Sequence, residues 1–158
     1  MRFLKSLKFA FCGFAHAINY ERNMRIHTVF ALYVLVFAHF FNLSRASWAV
    51  LLLLIAMVLF TEMINTCFEE LCDMLSKEYN HHIRIIKDVA AGSVLVFAVF
   101  AVIIGFILFW RVNILMHIIH VFLYNPMYLA ILILSLIISA IYVHLGPIGI
   151  IKVFKNKK

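Results

Sequence analysis

Charge, proline and glycine are all scarce in this chain. Only 13% of its 158 residues are charged, two are Pro and five are Gly, while 66% are apolar. An ordinary soluble domain carries about 25% charged residues, so this composition excludes one. The mean hydropathy of +1.04 agrees. The chain reads as an integral membrane protein with little room for a separate soluble domain. Its three cysteines, Cys12, Cys67 and Cys72, are odd in number and contain no Cys-x-x-Cys pair. That argues against a disulfide scaffold and against a zinc site. Neither G-x-x-x-x-G-K-[ST] nor G-x-G-x-x-G occurs, so no P-loop and no dinucleotide fingerprint is present. Acids number seven against 14 Lys and Arg, a net charge of +7. No nucleic-acid partner is needed to explain that excess, because basic residues of membrane proteins gather on the cytoplasmic side and meet anionic lipid.

What the chain does have is long uncharged runs. The stretches 28–44, 46–61, 89–110 and 112–151 carry no charge. A bilayer core of ~30 Å takes about 20 helical residues. The last run is interrupted by Asn125-Pro126, and proline disfavours a continuous helix there. Residues 112–124 therefore read as an interfacial or re-entrant piece, and 127–145 as a fourth span ended by Gly146-Pro147. The N-terminus, MRFLKSLKFAFCGFAHA, has the basic head and short apolar run of a signal peptide. An amphipathic surface helix fits better. At 100° per residue, Arg2, Lys5, Lys8, Cys12 and His16 share one face, and Phe3, Leu7, Phe11, Phe14 and Ile18 the opposite one.

Topology follows from the bases. Arg2, Lys5, Lys8, Arg22 and Arg25 precede the first span. Lys77, Arg84 and Lys87 lie between spans two and three, and Lys152, Lys155, Lys157 and Lys158 follow span four. Only Arg45 and Arg111 fall on the other side. This bias puts both termini in the cytoplasm. The acids obey the same geometry: Glu21 precedes span one, and Glu62, Glu69, Glu70, Asp73, Glu78 and Asp88 lie at or after the end of span two.

Span two runs into its acids without a break. On one helix over 46–75, Glu62, Asn65, Glu69 and Asp73 fall at i, i+3, i+7 and i+11. They stay within about 80° of each other, which makes one stripe. Glu62 lies deepest and Asp73 farthest out. Acids at membrane depth face a bundle interior or a wet cavity and mark function. Carboxylates on one stripe repel unless a cation joins them, and hard oxygen ligands favour Mg²⁺ completed by phosphate oxygens. Such a set suits phosphoryl transfer, with one acid taking a proton from a lipid hydroxyl. The competing reading is ordinary ion pairing with Arg22, Arg25, Arg84 and Lys87. A third, a non-enzymatic cation channel or scaffold, expects acids at several depths; here they gather at one level.

The segments ERNMRIH (21–27), EMINTCFEELCD (62–73), EYN (78–80) and KDVAAGSVLV (87–96) resemble the prokaryotic diacylglycerol kinase family, which includes the undecaprenol kinases. The resemblance covers roughly residues 2–110. It implies an all-α membrane protein with a surface helix and three spans, assembled as a homotrimer in a bacterial cell membrane with its active site facing the cytoplasm. It further implies transfer of the γ-phosphoryl group of Mg·ATP to a lipid alcohol. By this resemblance Glu62 is the catalytic base at the lipid substrate, and Glu21 and Glu69 hold Mg²⁺ on the nucleotide. Asn65 and Asp73 help position ATP, Glu78 and Tyr79 line the nucleotide side, Lys87 neutralises phosphate charge, and Asp88 completes the ATP contacts. Asn80 stands where the family usually has His, and Cys67 and Phe68 where it has a small residue and Ile.

Two domains are expected: a lipid kinase core over 1–110 and a C-terminal extension with a fourth span over 111–158. The wording of NTCFEELCD and KDVAAGSVLV favours undecaprenol as the lipid; diacylglycerol, giving phosphatidic acid, is the alternative. Glu70 lies about 80° from Glu62 around the helix and reads as a headgroup-level or salt-bridge residue. His117 and His120, spaced i, i+3, have no acid nearby and read as interfacial. Trp48 and Trp110 sit at span ends, where an aromatic belt is expected.

Overall fold

The computed structural model describes residues 2–76 and 78–155, so Lys77, Lys157 and Lys158 lie outside the described residues. The protein is an all-α membrane protein. Helix α1 spans Arg2–Tyr20 and α2 spans Arg22–Ala38, continued by a 3-10 turn, His39–Phe41. The others are α3 (Arg45–Leu75), α4 (His81–Phe109), α5 (Val112–Tyr124) and α6 (Pro126–Lys155). Four of these stretches are long and apolar enough to cross a membrane: Arg22–Phe41, Arg45–Leu75, His81–Phe109 and Pro126–Val153. The 13 residues of α5 reach only about 20 Å and fall short of a bilayer core.

Local chemistry sets the breaks. Glu21 leaves helical geometry (φ −96°, ψ 120°) and separates the two-faced α1 from α2. Asn42 takes the left-handed conformation (φ 46°) after the 3-10 turn. Ser44 then caps α3, its side chain accepting from the Ser47 N–H. Pro126 opens α6, at the one helical position where a missing N–H is harmless.

Two boundaries differ from the sequence expectation. Helices α2 and α4 begin at Arg22 and His81, earlier than the uncharged runs do. Their first turns carry bases, so charge marks the end of the apolar run rather than the end of the helix. Gly146-Pro147 does not end helical structure either. Gly146 alone leaves it (φ 66°, ψ 171°), and the helix resumes to Lys155. Proline is accommodated there because it starts the new segment.

Short connections make neighbouring spans antiparallel. Helices α3 and α4 pack along their lengths, α2 lies against α3, and α6 lies against α2 and α1. One end of the bundle is closed by Phe37, Phe41 and Phe109, whose rings meet edge to face, and by an Arg111 N–H donated to the Phe41 carbonyl at 3.1 Å. Tyr33 of α2 donates to Ser135 of α6 at 3.0 Å and lies 3.1 Å from Ser139 Oγ. Such interhelical hydrogen bonds hold spans together where lipid supplies no hydrophobic drive.

The positive-inside bias orients this bundle. In a cysteine-free background, a membrane-impermeant thiol reagent added to intact cells should label a cysteine at Asn113 and leave one at Ser76 unlabelled. The opposite pattern would invert the topology.

Candidate functional site

The acid stripe of α3 is real and graded in depth. Glu62 is 2% exposed and Asn65 4%, Glu69 is half-buried, and Asp73 is exposed. The helix runs unbroken through all four, so the 3.6-residue period keeps them in register. Thr61 and Thr66 return their hydroxyls to the carbonyls one turn back. Both thus satisfy their own polarity and leave the acids to face inward neighbours.

Glu62 meets α2. Its Oε2 lies 3.9 Å from Nε2 of His27. His27 also borders an apolar cavity of about 400 Å³ between α2, α3 and α4. Phe30, Val34, Leu51, Ile55 and Phe109 contribute to the cavity wall, and among the described residues His27 is its one ionisable lining residue. The cavity runs from the level of His27 to Phe109 at the far end of α4.

One turn outward the chemistry changes. Asn65 donates its amide N–H to Glu69 Oε1 at 2.8 Å. The other polar side-chain atom, Asn65 Oδ1, is buried with no hydrogen-bond partner among the described residues. An orphaned acceptor at this depth calls for a donor or a cation. Glu21 is near enough to Glu69 and Glu70 to feel their charge. Burial, then the carboxylates of Glu69 and Glu70, push the Glu21 carboxyl above its ordinary value, while Arg25 and His16 pull it down. Glu70 pairs with His16 of α1 at 3.6 Å, in keeping with its expected salt-bridge role. Among the described residues no three His, Cys, Asp or Glu side chains converge tightly enough to hold a metal alone. Mg²⁺ does not need that, since one or two carboxylates plus phosphate oxygens and waters suffice. The acidic oxygens of Glu21 and Glu69, with the free Asn65 Oδ1, fit such an ion.

The remaining expected residues lie farther out. Lys87 of α4 hydrogen-bonds Asp73, which ties the outer end of the stripe to the next helix. Asp88 pairs with Arg84 at 3.6 Å along α4's exposed face. Glu78 and Tyr79 are exposed in the connection between α3 and α4. Neither is hydrogen-bonded or ion-paired through its side chain to the stripe among the described residues. Asn80 caps α4, its Oδ1 accepting from the N–H groups of His82 and Ile83 at 2.9 and 3.4 Å. The ion-pairing reading thus holds for Lys87, whereas Arg84 pairs with Asp88 outside the stripe. It fails for Arg25, which is 7% exposed and bonded to carbonyl oxygens instead. Sequence reasoning missed His27. An ionisable side chain in the second turn of a span was the available signal.

The sequence model for prokaryotic diacylglycerol kinase matches residues 8–109. The diacylglycerol kinase of Synechocystis sp. is 37% identical over 103 residues, 65% of this chain and 59% of that protein. The undecaprenol kinase of Bacillus subtilis is 35% identical over 108 residues, 68% of this chain and 88% of that protein. The chain therefore spans well under two thirds of the Synechocystis relative.

The Glu21 shift has a signed consequence. A carboxyl raised in the folded state binds its proton more tightly there than in the unfolded chain. Its contribution favours folding at low pH and is lost as pH rises from the ordinary value of 4.5 through the raised one. Without divalent cation, Glu21→Gln should therefore melt at higher temperature than the wild type at pH 7.5. That advantage should shrink as pH falls toward 4.5. Thermal unfolding in detergent micelles measures it, and a Glu21→Gln protein less stable at pH 7.5 would contradict the reading.

Proposed function

The chain belongs to the prokaryotic diacylglycerol kinase family, and from that premise we propose that it is a lipid kinase, transferring the γ-phosphoryl group of ATP to a lipid alcohol. The observation that carries this is the buried Glu62, 3.9 Å from the His27 that lines an apolar cavity, and about one and two helical turns below Asn65 and Glu69. A lipid tail occupies the cavity and leaves its hydroxyl at Glu62. Glu62 accepts the hydroxyl proton as the oxygen bonds to the γ-phosphorus, and the bond to the bridging oxygen breaks to release ADP. His27 borders both the tail and the carboxylate, and holds the polar end of the lipid at the reacting level.

Glu21 and Glu69 hold the ion, with Asn65 Oδ1 beside them. Mg²⁺ bound there supplies charge neutralisation of the triphosphate and its alignment. Lys87 supplies positive charge to the phosphates when it leaves Asp73. Asp73 helps position ATP, while Glu78, Tyr79 and Asp88 line the nucleotide's outer side. Nucleotide arrives from the cytoplasm, on the inner side of a bacterial cell membrane. Residues 1–110 form the kinase core, 111–158 an extension, and the working assembly is a homotrimer, as the family resemblance implies.

Undecaprenol is the preferred substrate. The alignment covers 88% of the B. subtilis undecaprenol kinase, and the cavity lining is apolar apart from His27. Diacylglycerol is the alternative. Purified protein given radiolabelled ATP should phosphorylate undecaprenol faster than diacylglycerol, and only with Mg²⁺. Glu62→Gln should lower the rate by about 10²–10⁴-fold, the usual worth of a positioned general base. Transfer to neither lipid, or wild-type rates in Glu62→Gln, would overturn the proposal; ion conduction in a bilayer would then favour the channel reading.

A further inference from the structure

The fourth span lies outside the residues that match the family, yet it reaches the functional end of the bundle through one side chain. Arg25 is 7% exposed. A buried guanidinium must be hydrogen-bonded to be tolerated, and here its partners are three backbone carbonyls. Its Nε–H donates to the carbonyl of Val143 in α6 at 3.1 Å. Its Nη1 donates to the carbonyls of Ile18 and Asn19, in the last turn of α1, at 3.2 and 3.0 Å.

Each acceptor is free for a definable reason. The Val143 carbonyl would normally accept from the N–H four residues on, but that residue is Pro147, which has none. Ile18 and Asn19 precede the break at Glu21, where terminal carbonyls of a helix lose their partners. Space is provided as well. Gly146 has φ +66°, and a Cβ there would stand 3.0 Å from Arg25 Nη1 and 3.2 Å from its Cζ. Proline frees the acceptor, glycine leaves the room, and the arginine fills it.

We propose that α6 is a positioning element for the kinase site: Val143, Gly146 and Pro147 form a socket for Arg25, and Arg25 so held fixes the end of α1 and with it Glu21. The coupling path is short. Asn19 is two residues from Glu21, and the Glu21 carbonyl accepts the Arg25 backbone N–H at 3.3 Å. Arg25's charge also acts on the Glu21 carboxylate, against the push of Glu69 and Glu70. Arg25 is a positioning residue in this account and touches no substrate. The effect on catalysis rests on the reading of Glu21 as a ligand of magnesium-bound nucleotide; the socket itself does not.

The test uses the full-length chain with three separate variants. Gly146→Ala fills the socket. Pro147→Ala restores an N–H that competes for the Val143 carbonyl, without adding bulk beside Arg25. Arg25→Lys keeps the charge and loses the fork that reaches two helices. Hydrogen–deuterium exchange, measured without nucleotide, should rise across residues 17–25 in all three. In kinase assays the KM for Mg·ATP should rise roughly tenfold, as expected for a displaced ligand, while the KM for the lipid stays within about twofold. Unchanged exchange in Gly146→Ala and Pro147→Ala would overturn the socket. Raised exchange with both KM values moving together would overturn its role in placing Glu21. A wild-type protein that phosphorylates neither lipid would instead remove the kinase reading, and the exchange data would still decide the socket.

Discussion

Glu62 is 2% exposed beside His27, which lines an apolar cavity, and among the described residues no Lys or Arg pairs with Glu62. An acid at membrane depth is costly unless it faces a bundle interior or a wet cavity. The bundle offsets this by arrangement. Helix α3 carries the acid on its inward face, α2 brings His27 to 3.9 Å, and the polar residues that follow are stacked toward water rather than scattered. The unbroken run of α3 through its acids follows from the same constraint. A span that stopped at the membrane surface would leave Asn65, Glu69 and Asp73 on a loop, where their register to Glu62 would be lost. One continuous helix keeps Glu62, Asn65, Glu69 and Asp73 within about three turns of each other.

Much of this was legible in the amino-acid sequence, for physical reasons. Helical period is a property of the backbone alone, so the stripe of Glu62, Asn65, Glu69 and Asp73 could be placed by arithmetic. The spans followed from charge-free length, and the four runs correspond to α2, α3, α4 and α6. Contacts made by backbone atoms could not be read. Arg25 looked like a partner for an acid, and its acceptors are carbonyls, one of them 118 residues away. His27 depended on the rotation of α2 against α3, which no local pattern encodes. Gly146-Pro147 reads as a stop by residue type, yet it serves as a kink because proline is at home at a helix start.

The site is also spread over more of the chain than its motifs suggest. Glu21 stands at a break between two helices, and its neighbours come from α1, α2 and α3. A carboxylate in such a place has no rigid element of its own and depends on what holds the helix ends. Arg25 ties those ends, and the fourth span closes around Arg25. An extension that adds no recognisable chemistry can in this way still matter to chemistry.

The central claim is a division of labour along one stripe: Glu62 serves the lipid hydroxyl, and Glu69 with Glu21 serves the metal-bound nucleotide. Electron paramagnetic resonance of Mn²⁺, titrated with a non-hydrolysable ATP analogue, tests it most directly. Glu62→Gln should bind the Mn²⁺–nucleotide complex as the wild type does, whereas Glu69→Gln should bind it at least about tenfold more weakly. Equal loss of binding in both variants would contradict the division.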